Sequence, residues 1–237
     1  MNPFDSSLSP AFKQMKLTQH QAIIVLSASN KTTMSSHKLL EISDDLSRQG
    51  FSINHDFLTS ELVESLANRA RLLENKALMR KAITGSKNTP KDFTIRGDHI
   101  HWIETAQASK PDLDFLDVMA KLQNALNQKL FLGLFEFETH FAIYPVGAGY
   151  QKHLDQLVGK EERKVSCILY LNDHWKEEDG GQLRLYLEKD DPEKFIDIMP
   201  QGGTLVIFLS ADFLHEVLPA KRNRISITGW FRSRAIN

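Results

Sequence analysis

Between residues 135 and 144 the chain alternates. Phe135, Phe137, Thr139, Phe141 and Ile143 fall on one side, and Glu136, Glu138, His140, Ala142 and Tyr144 on the other. A period of two is that of a β-strand with one face on a core and polar groups on the second face. Further apolar runs lie at 165–171, 183–187, 203–209 and 225–231, separated by turn signals at Pro145, Gly147, Gly180 with Gly181, and Gly202 with Gly203. Many short strands at this spacing predict a mainly β fold with flanking helices, a sandwich or jelly roll.

The helices come first. Leu62, Leu66 and Leu73, with Val63 and Ala70, share one helical face, with Thr59 as N-cap and Glu61 in the first turn. A second helix follows Pro111, with Leu116, Met119, Leu122 and Leu126 as its apolar stripe. Residues 1–36 are rich in Ser, Thr, Asn and Lys without a sustained period, and read as a loosely ordered leader. Met34 is an alternative start to Met1. The expected catalytic unit is 37–237, helical over about 37–130 and β over about 131–235. Between the helices, 76–93 holds Lys76, Arg80, Lys81, Lys87 and Lys91 with Gly85, Ser86 and Pro90, a basic loop suited to covering a substrate.

The chain has 237 residues, 29 Lys and Arg against 30 Asp and Glu, and a net charge of −1. That balance provides no broad field for nucleic acid or an anionic membrane. The apolar stretch Ala22 to Leu26 is far short of the roughly 20 residues that span a bilayer, and no cationic segment introduces it as a signal peptide. The single cysteine, Cys167, lies in an apolar strand as a small buried hydrophobe. These features predict a soluble, cytoplasmic protein without membrane or nucleic-acid partners.

The nine histidines carry the chemical information. On a strand, residues two apart project from one face about 6.5 Å apart, so His153 and Asp155 can converge on one ion while Leu154 points away. His215, just after the 203–209 strand, is the third candidate. His174, in a polar run, reads as a surface loop residue. Two histidines and a carboxylate leave open positions on a metal, the facial triad of non-haem Fe(II) oxygenases. A structural zinc site would want four closed ligands, usually thiolates, whereas a catalytic zinc remains compatible. Arg224 stands nine residues beyond His215 at the entry of the last strand. A cation facing a barrel interior needs an anion, and a dicarboxylate cosubstrate held bidentately, with help from a hydroxyl such as that of Tyr170, supplies one.

In order along the chain stand Ile95, Arg96, Gly97 and Asp98; His101, Trp102, Ile103 and Glu104; Tyr144 and Pro145; Gly149 and Tyr150; His153 and Asp155; residues 167–172; the glycine pair 180–181; residues 215–220; Arg224; and residues 227–230. Over roughly 48–232 this set resembles the Fe(II)/2-oxoglutarate-dependent dioxygenases, specifically the prolyl hydroxylases that act on hypoxia-inducible factor and their bacterial relatives. The resemblance implies a double-stranded β-helix, Fe(2+), 2-oxoglutarate and O2 as cofactor and cosubstrates, and ascorbate as an accessory. It also implies iron held by His153, Asp155 and His215, the distal 2-oxoglutarate carboxylate on Arg224 with Tyr170, and a pocket lined by Tyr144, Thr228 and Trp230. The basic loop becomes a finger over a proline-containing protein or peptide substrate, a translation factor among the candidates. The lengths of 147–153 and 155–170 depart from the animal enzymes.

Three rival readings remain. Nucleic-acid demethylases of the superfamily carry a second arginine six residues after the first, where this chain has Trp230. A small-molecule hydroxylase fits the same triad, and so does a cupin-like binding module, except for Arg224 in step with His215. His99 and His101 could pair on a metal but lack a nearby third ligand. His20, His37, His55 and His140 read as solvated or barrel-lining, and Arg96 to Asp98 as a strand-end turn. Oligomeric state has no signature.

Overall fold

In the computed structural model, residues 36–82, 95–156 and 161–234 are described. The chain divides into Met1–Thr33 and Met34–Asn237. The expected leader, apart from Ser36, lies outside the described residues, as does most of the expected basic loop.

Three helices precede most of the strands: α1 (Ser36–Gln49), α2 (Ser60–Asn75) and α3 (Lys110–Leu130). Thr59 Oγ1 caps α2 by accepting from the Leu62 amide at 3.4 Å, as its place before the apolar face predicts. Ser109 caps α3, with Asp112 reaching back to the Ser109 amide at 2.8 Å and Pro111 in the first turn. The helix α1 is additional to the two expected, and buries Ile42 and Leu46.

Seven strands form the major sheet in the order β1 (Phe51–Asn54), β9 (Leu205–Leu209), β6 (Arg163–Tyr170), β11 (Arg224–Ser233), β4 (Leu134–Tyr144), β3 (His99–Trp102) and β2 (Arg80–Lys81). Four form the minor sheet: β5 (Tyr150–His153), β10 (His215–Val217), β7 (Leu183–Tyr186) and β8 (Phe195–Ile198). All pairings are antiparallel. The first part of the expected basic loop is therefore the turn that follows α2 from its C-cap Lys76, and the strand β2; residues 83–94 are outside the described residues. Strands β1, β2 and β3 come from the stretch expected to be helical and complete the major sheet.

The central strands of the major sheet are buried on both faces. Phe141, Ile143, Val165, Leu169, Ile207, Ile227 and Phe231 pack on Ile42, Leu66, Phe115, Met119 and Leu122 of the helices. Their neighbours Ala142, Tyr144, Ile168, Tyr170, Val206 and Phe208 turn to Leu183, Leu185 and Val217 of the minor sheet. The second face of β4 was expected to be polar, and its last three inward positions instead line the space between the sheets. Each large aliphatic or aromatic side chain so buried contributes about 1.5–3 kcal/mol. Two facing sheets with helices outside one of them make a double-stranded β-helix. Among the described residues, no helix is long and apolar enough to cross a membrane.

Candidate active site

Strands β5 and β10 pair with His215 opposite His153. This puts two imidazoles, distant in sequence, at ring centroids 4.2 Å apart. Gly149 allows the approach, since a Cβ there would lie 2.6 Å from the Val217 carbonyl oxygen. His153 is the last residue of β5, so Asp155 comes from the turn beyond the strand and not from the same strand face, correcting the expectation. Leu154 does not point clear of the site either, for it borders the same cavity. The carboxylate is brought into place by Ser166, whose hydroxyl donates to Asp155 Oδ2 at 2.7 Å and stands 2.8 Å from the Ser210 hydroxyl.

The ligand atoms of His153, Asp155 and His215 lie within 4.8 Å of one another, the one such metal-sized group among the described residues. Each Nε2 stands 3.6 Å from an Asp155 oxygen. Each Nδ1–H donates to a backbone carbonyl, His153 to Gln151 at 2.7 Å and His215 to Phe213 at 3.1 Å. That fixes the tautomer and leaves both Nε2 lone pairs directed at the carboxylate. Burial pushes the His215 pKa down to about 4, favouring the neutral, ligating form. Burial alone would raise the Asp155 pKa, but the electrostatic attraction of the His215 and His153 rings and the hydrogen bond from Ser166 outweigh it and hold it below the usual carboxylate range. Two imidazoles with Nε2 turned to an ionised carboxylate fit a divalent first-row metal with open positions.

A cavity of about 340 Å3 leads from this cluster between the sheets. At its inner end Arg224 is 1% exposed. Its Nε donates to the Gly181 carbonyl at 2.8 Å, and one terminal nitrogen has no hydrogen-bond partner. Its guanidinium lies over the rings of Tyr170 and Tyr144, 4.9 and 5.2 Å from their centroids. The Tyr170 hydroxyl makes no well-aligned hydrogen bond, and burial pushes its pKa up to about 12 against the pull of Arg224. Gly181 has φ +72°, and a Cβ there would meet the Ala220 Cβ at 2.8 Å and Arg224 at 3.3 Å. A buried cation with unpaired donors and a neighbouring free hydroxyl matches a carboxylate.

Tyr144, Thr228 and Trp230 border the same cavity, so seven of the eight expected site residues meet around it, and the eighth, Tyr170, packs against Arg224. The other histidines fall away: His174 is exposed, His55 bonds Thr204, and His101 bonds the Leu78 carbonyl. His140 is buried at the cavity wall. Sequence reasoning missed the Arg96–Asp98 ion pair, which is no simple turn: Asp98 is fully buried, and the Arg96 guanidinium lies over Tyr150, whose ring stacks on His153 at 3.7 Å. It also missed Arg163, 3.5 Å over the Trp230 ring, and the two serines behind Asp155. The inward phase of Ser166 on its strand was the available signal.

A double-stranded β-helix in which two paired strands hold two histidines and the turn after one of them a carboxylate is the class of fold and site found in non-haem metal-dependent oxygenases. Residues 139–232 match the family model described as the 2OG-Fe(II) oxygenase superfamily. The crystal structure of a Pseudomonas putida prolyl-4-hydroxylase is 44% identical with a TM-score of 0.74, covering 83% of this chain and 100% of that one. A Trichoplax adhaerens prolyl hydroxylase, in complex with a peptide fragment of the hypoxia-inducible factor oxygen degradation domain, is 26% identical with a TM-score of 0.74, covering 86% and 96%. Human Egl nine homolog 1 is 31% identical over 194 residues, 78% of this chain and 44% of that protein. The chain spans about half the length of the curated relatives it matches first. It belongs to the Fe(II)/2-oxoglutarate-dependent oxygenases, a superfamily that uses Fe(2+), 2-oxoglutarate and O2, and within them to the prolyl hydroxylase family.

Proposed function

We propose that residues 37–237 form a prolyl hydroxylase acting on a protein or peptide in the cytoplasm, by the balance R–H + 2-oxoglutarate + O2 → R–OH + succinate + CO2. The single observation that carries this is Arg224, a buried cation with an unpaired nitrogen, at the far end of the cavity that holds the triad. In this reading His153, Asp155 and His215 hold the iron. The iron, when bound, supplies the open positions at which 2-oxoglutarate and O2 react.

The chain's own share is binding, orientation and exclusion of water. Arg224 binds the distal carboxylate of 2-oxoglutarate, with the Tyr170 hydroxyl as a further donor. Tyr144 backs the guanidinium. Thr228 and Trp230 form the wall between cosubstrate and target ring. Ascorbate serves as reductant for iron that oxidises without substrate, and a translation factor is a candidate target on the analogy of bacterial relatives.

The test is anaerobic reconstitution with Fe(II) and 2-oxoglutarate, followed by O2 in the presence of a cell-extract proteome. Succinate together with a gain of one oxygen on a prolyl residue is expected. Succinate release with oxygen on a small metabolite and on no peptide would overturn the prolyl reading.

A further inference from the structure

After the cosubstrate end of the cavity has been accounted for, unsatisfied polar atoms remain at the other end. Both ring nitrogens of His140 and the Nε1 of Trp230 are buried without a hydrogen-bond partner among the described residues. His140 is 1% exposed and Trp230 6%. His140 sits between two indoles, its ring centroid 4.8 Å from that of Trp102 and 5.5 Å from that of Trp230. All three rings border the cavity. The register explains the grouping: His140 of β4 pairs with Trp102 of β3 on one side and Thr228 of β11 on the other, and Trp230 is the next inward residue along β11.

Buried donors without partners are uncommon because each loses its hydration without return. Three such polar atoms in one patch of cavity wall, two donors and one acceptor, indicate a polar occupant. It is not the cosubstrate held by Arg224. Along β11, Trp230 lies about 20 Å from Arg224, and Thr228, the partner of His140, about 13 Å, both longer than a five-carbon dicarboxylate. The chemistry of the occupant follows from the donors. An indole N–H only donates, so the occupant must offer an acceptor. His140 is neutral, its pKa pushed down to about 3 by burial and then by Arg96, so it presents one N–H and one lone pair. Near a proline, the peptide bond to the ring nitrogen has no N–H and offers a carbonyl oxygen alone.

We infer that His140 and Trp230 form a substrate subsite that donates hydrogen bonds to a backbone carbonyl of the target segment beside the proline. His140 is thus a specificity-determining residue. This deepens the prolyl hydroxylase reading and rests on it.

The test uses full-length, Fe(II)-loaded enzyme and a pooled library of short synthetic peptides, each centred on one proline. His140→Leu, which keeps the packing and removes the donor, is expected to raise the peptide KM roughly 5- to 50-fold, the scale of one hydrogen bond lost in a desolvated site. The Kd for 2-oxoglutarate should move far less. His140→Asn, which retains a donor, restores part of the loss, and Trp230→Phe, which retains a ring and removes the N–H, raises the peptide KM as well. Thermal unfolding confirms that each variant is folded; should His140→Leu not fold, the other two variants decide. Unchanged peptide KM in the folded variants would mean that water alone satisfies these atoms, and an equal effect on the 2-oxoglutarate Kd would put His140 on the cosubstrate. Either overturns the subsite and leaves the activity standing. If wild-type enzyme oxidises no proline peptide, the prolyl reading falls and takes the subsite with it.

Discussion

His153 and His215 face each other in register across the β5–β10 pair, ring centroids 4.2 Å apart, each with Nδ1–H tied to a backbone carbonyl two residues earlier. The main chain therefore sets the ligating tautomer of both rings, while the carboxylate between them is set by a side chain, Ser166. The two kinds of support should separate on mutation. His215→Ala removes a ligand and is expected to weaken Mn(II) or Co(II) binding by more than about 100-fold, whereas Ser166→Ala leaves all three ligands and costs about 10- to 100-fold. Isothermal titration of metal-free protein measures both, and Ser166→Thr should recover most of the loss. Full metal affinity in Ser166→Ala would show that the hydroxyl does not position Asp155.

Arg224 is the largest fully buried side chain, and its pairing is incomplete. Replacing it by Ala leaves a carboxylate without its partner in a desolvated pocket, at a cost of about 3–5 kcal/mol, roughly 200- to 5000-fold in 2-oxoglutarate affinity. Arg224→Met tests the other side of the same balance. It removes an unpaired buried charge, so the ligand-free fold should be no less stable, but the rise in Tm with added 2-oxoglutarate should vanish. A 2-oxoglutarate affinity unchanged in Arg224→Ala would refute the assignment.

Gly181 links that cation to the backbone. Its carbonyl accepts from Arg224 Nε, its φ is +72°, and a Cβ would press on Ala220 and Arg224. Gly181→Ala is expected to cost about 1–3 kcal/mol of stability through the strained backbone and to weaken 2-oxoglutarate binding as the guanidinium is displaced. Denaturant unfolding and cosubstrate titration give the two numbers. A destabilised variant with intact affinity would mean that the turn supports the fold alone.

What was legible in the sequence follows the reach of its signals. The alternation in β4, Thr59 before α2 and Pro111 in α3 are local patterns, and each marked its element. His153, Asp155, His215 and Arg224 were legible because metal and anion chemistry restricts residue type severely. The helix α1 was not, since its apolar face is largely Leu39, Ile42 and Leu46 amid Ser, Asp and Glu. Strands β1 and β8 have four residues each, too few to show a period. The inward phase of β4 was visible, but not that its far face meets a second sheet, because that depends on the β5–β10–β7–β8 layer. Ser166 and Ser210 are common residues that matter only where β6 meets the turn after β9. The Arg96–Asp98 pair looked like a turn because nothing local shows that Asp98 is buried.

His140 gives the fold a specific acid sensitivity. Its ring is kept neutral by burial, with Arg96 and Arg163 opposing its protonation and Asp98 and Asp155 favouring it, for a net fall in pKa from 6.5 to about 3. In the unfolded chain the ring takes a proton as pH falls through about 6.5; in the fold it does not until about 3. Between those values the unfolded state binds more protons, so stability is full above about pH 6.5 and falls on acidification. At about 1.4 kcal/mol per pH unit, the loss from this one group between pH 7 and pH 5 is about 2 kcal/mol. His215, also pushed down by burial, adds a loss of the same sign, while Asp155 titrates lower and adds none in this window. Urea unfolding of metal-free wild type and His140→Leu at pH 7 and pH 5 isolates the share of His140, and the variant should lose about 2 kcal/mol less over that interval. Equal losses in the two proteins would mean that the ring accepts its proton in the folded state, so that the indoles and arginines around it do not hold it neutral.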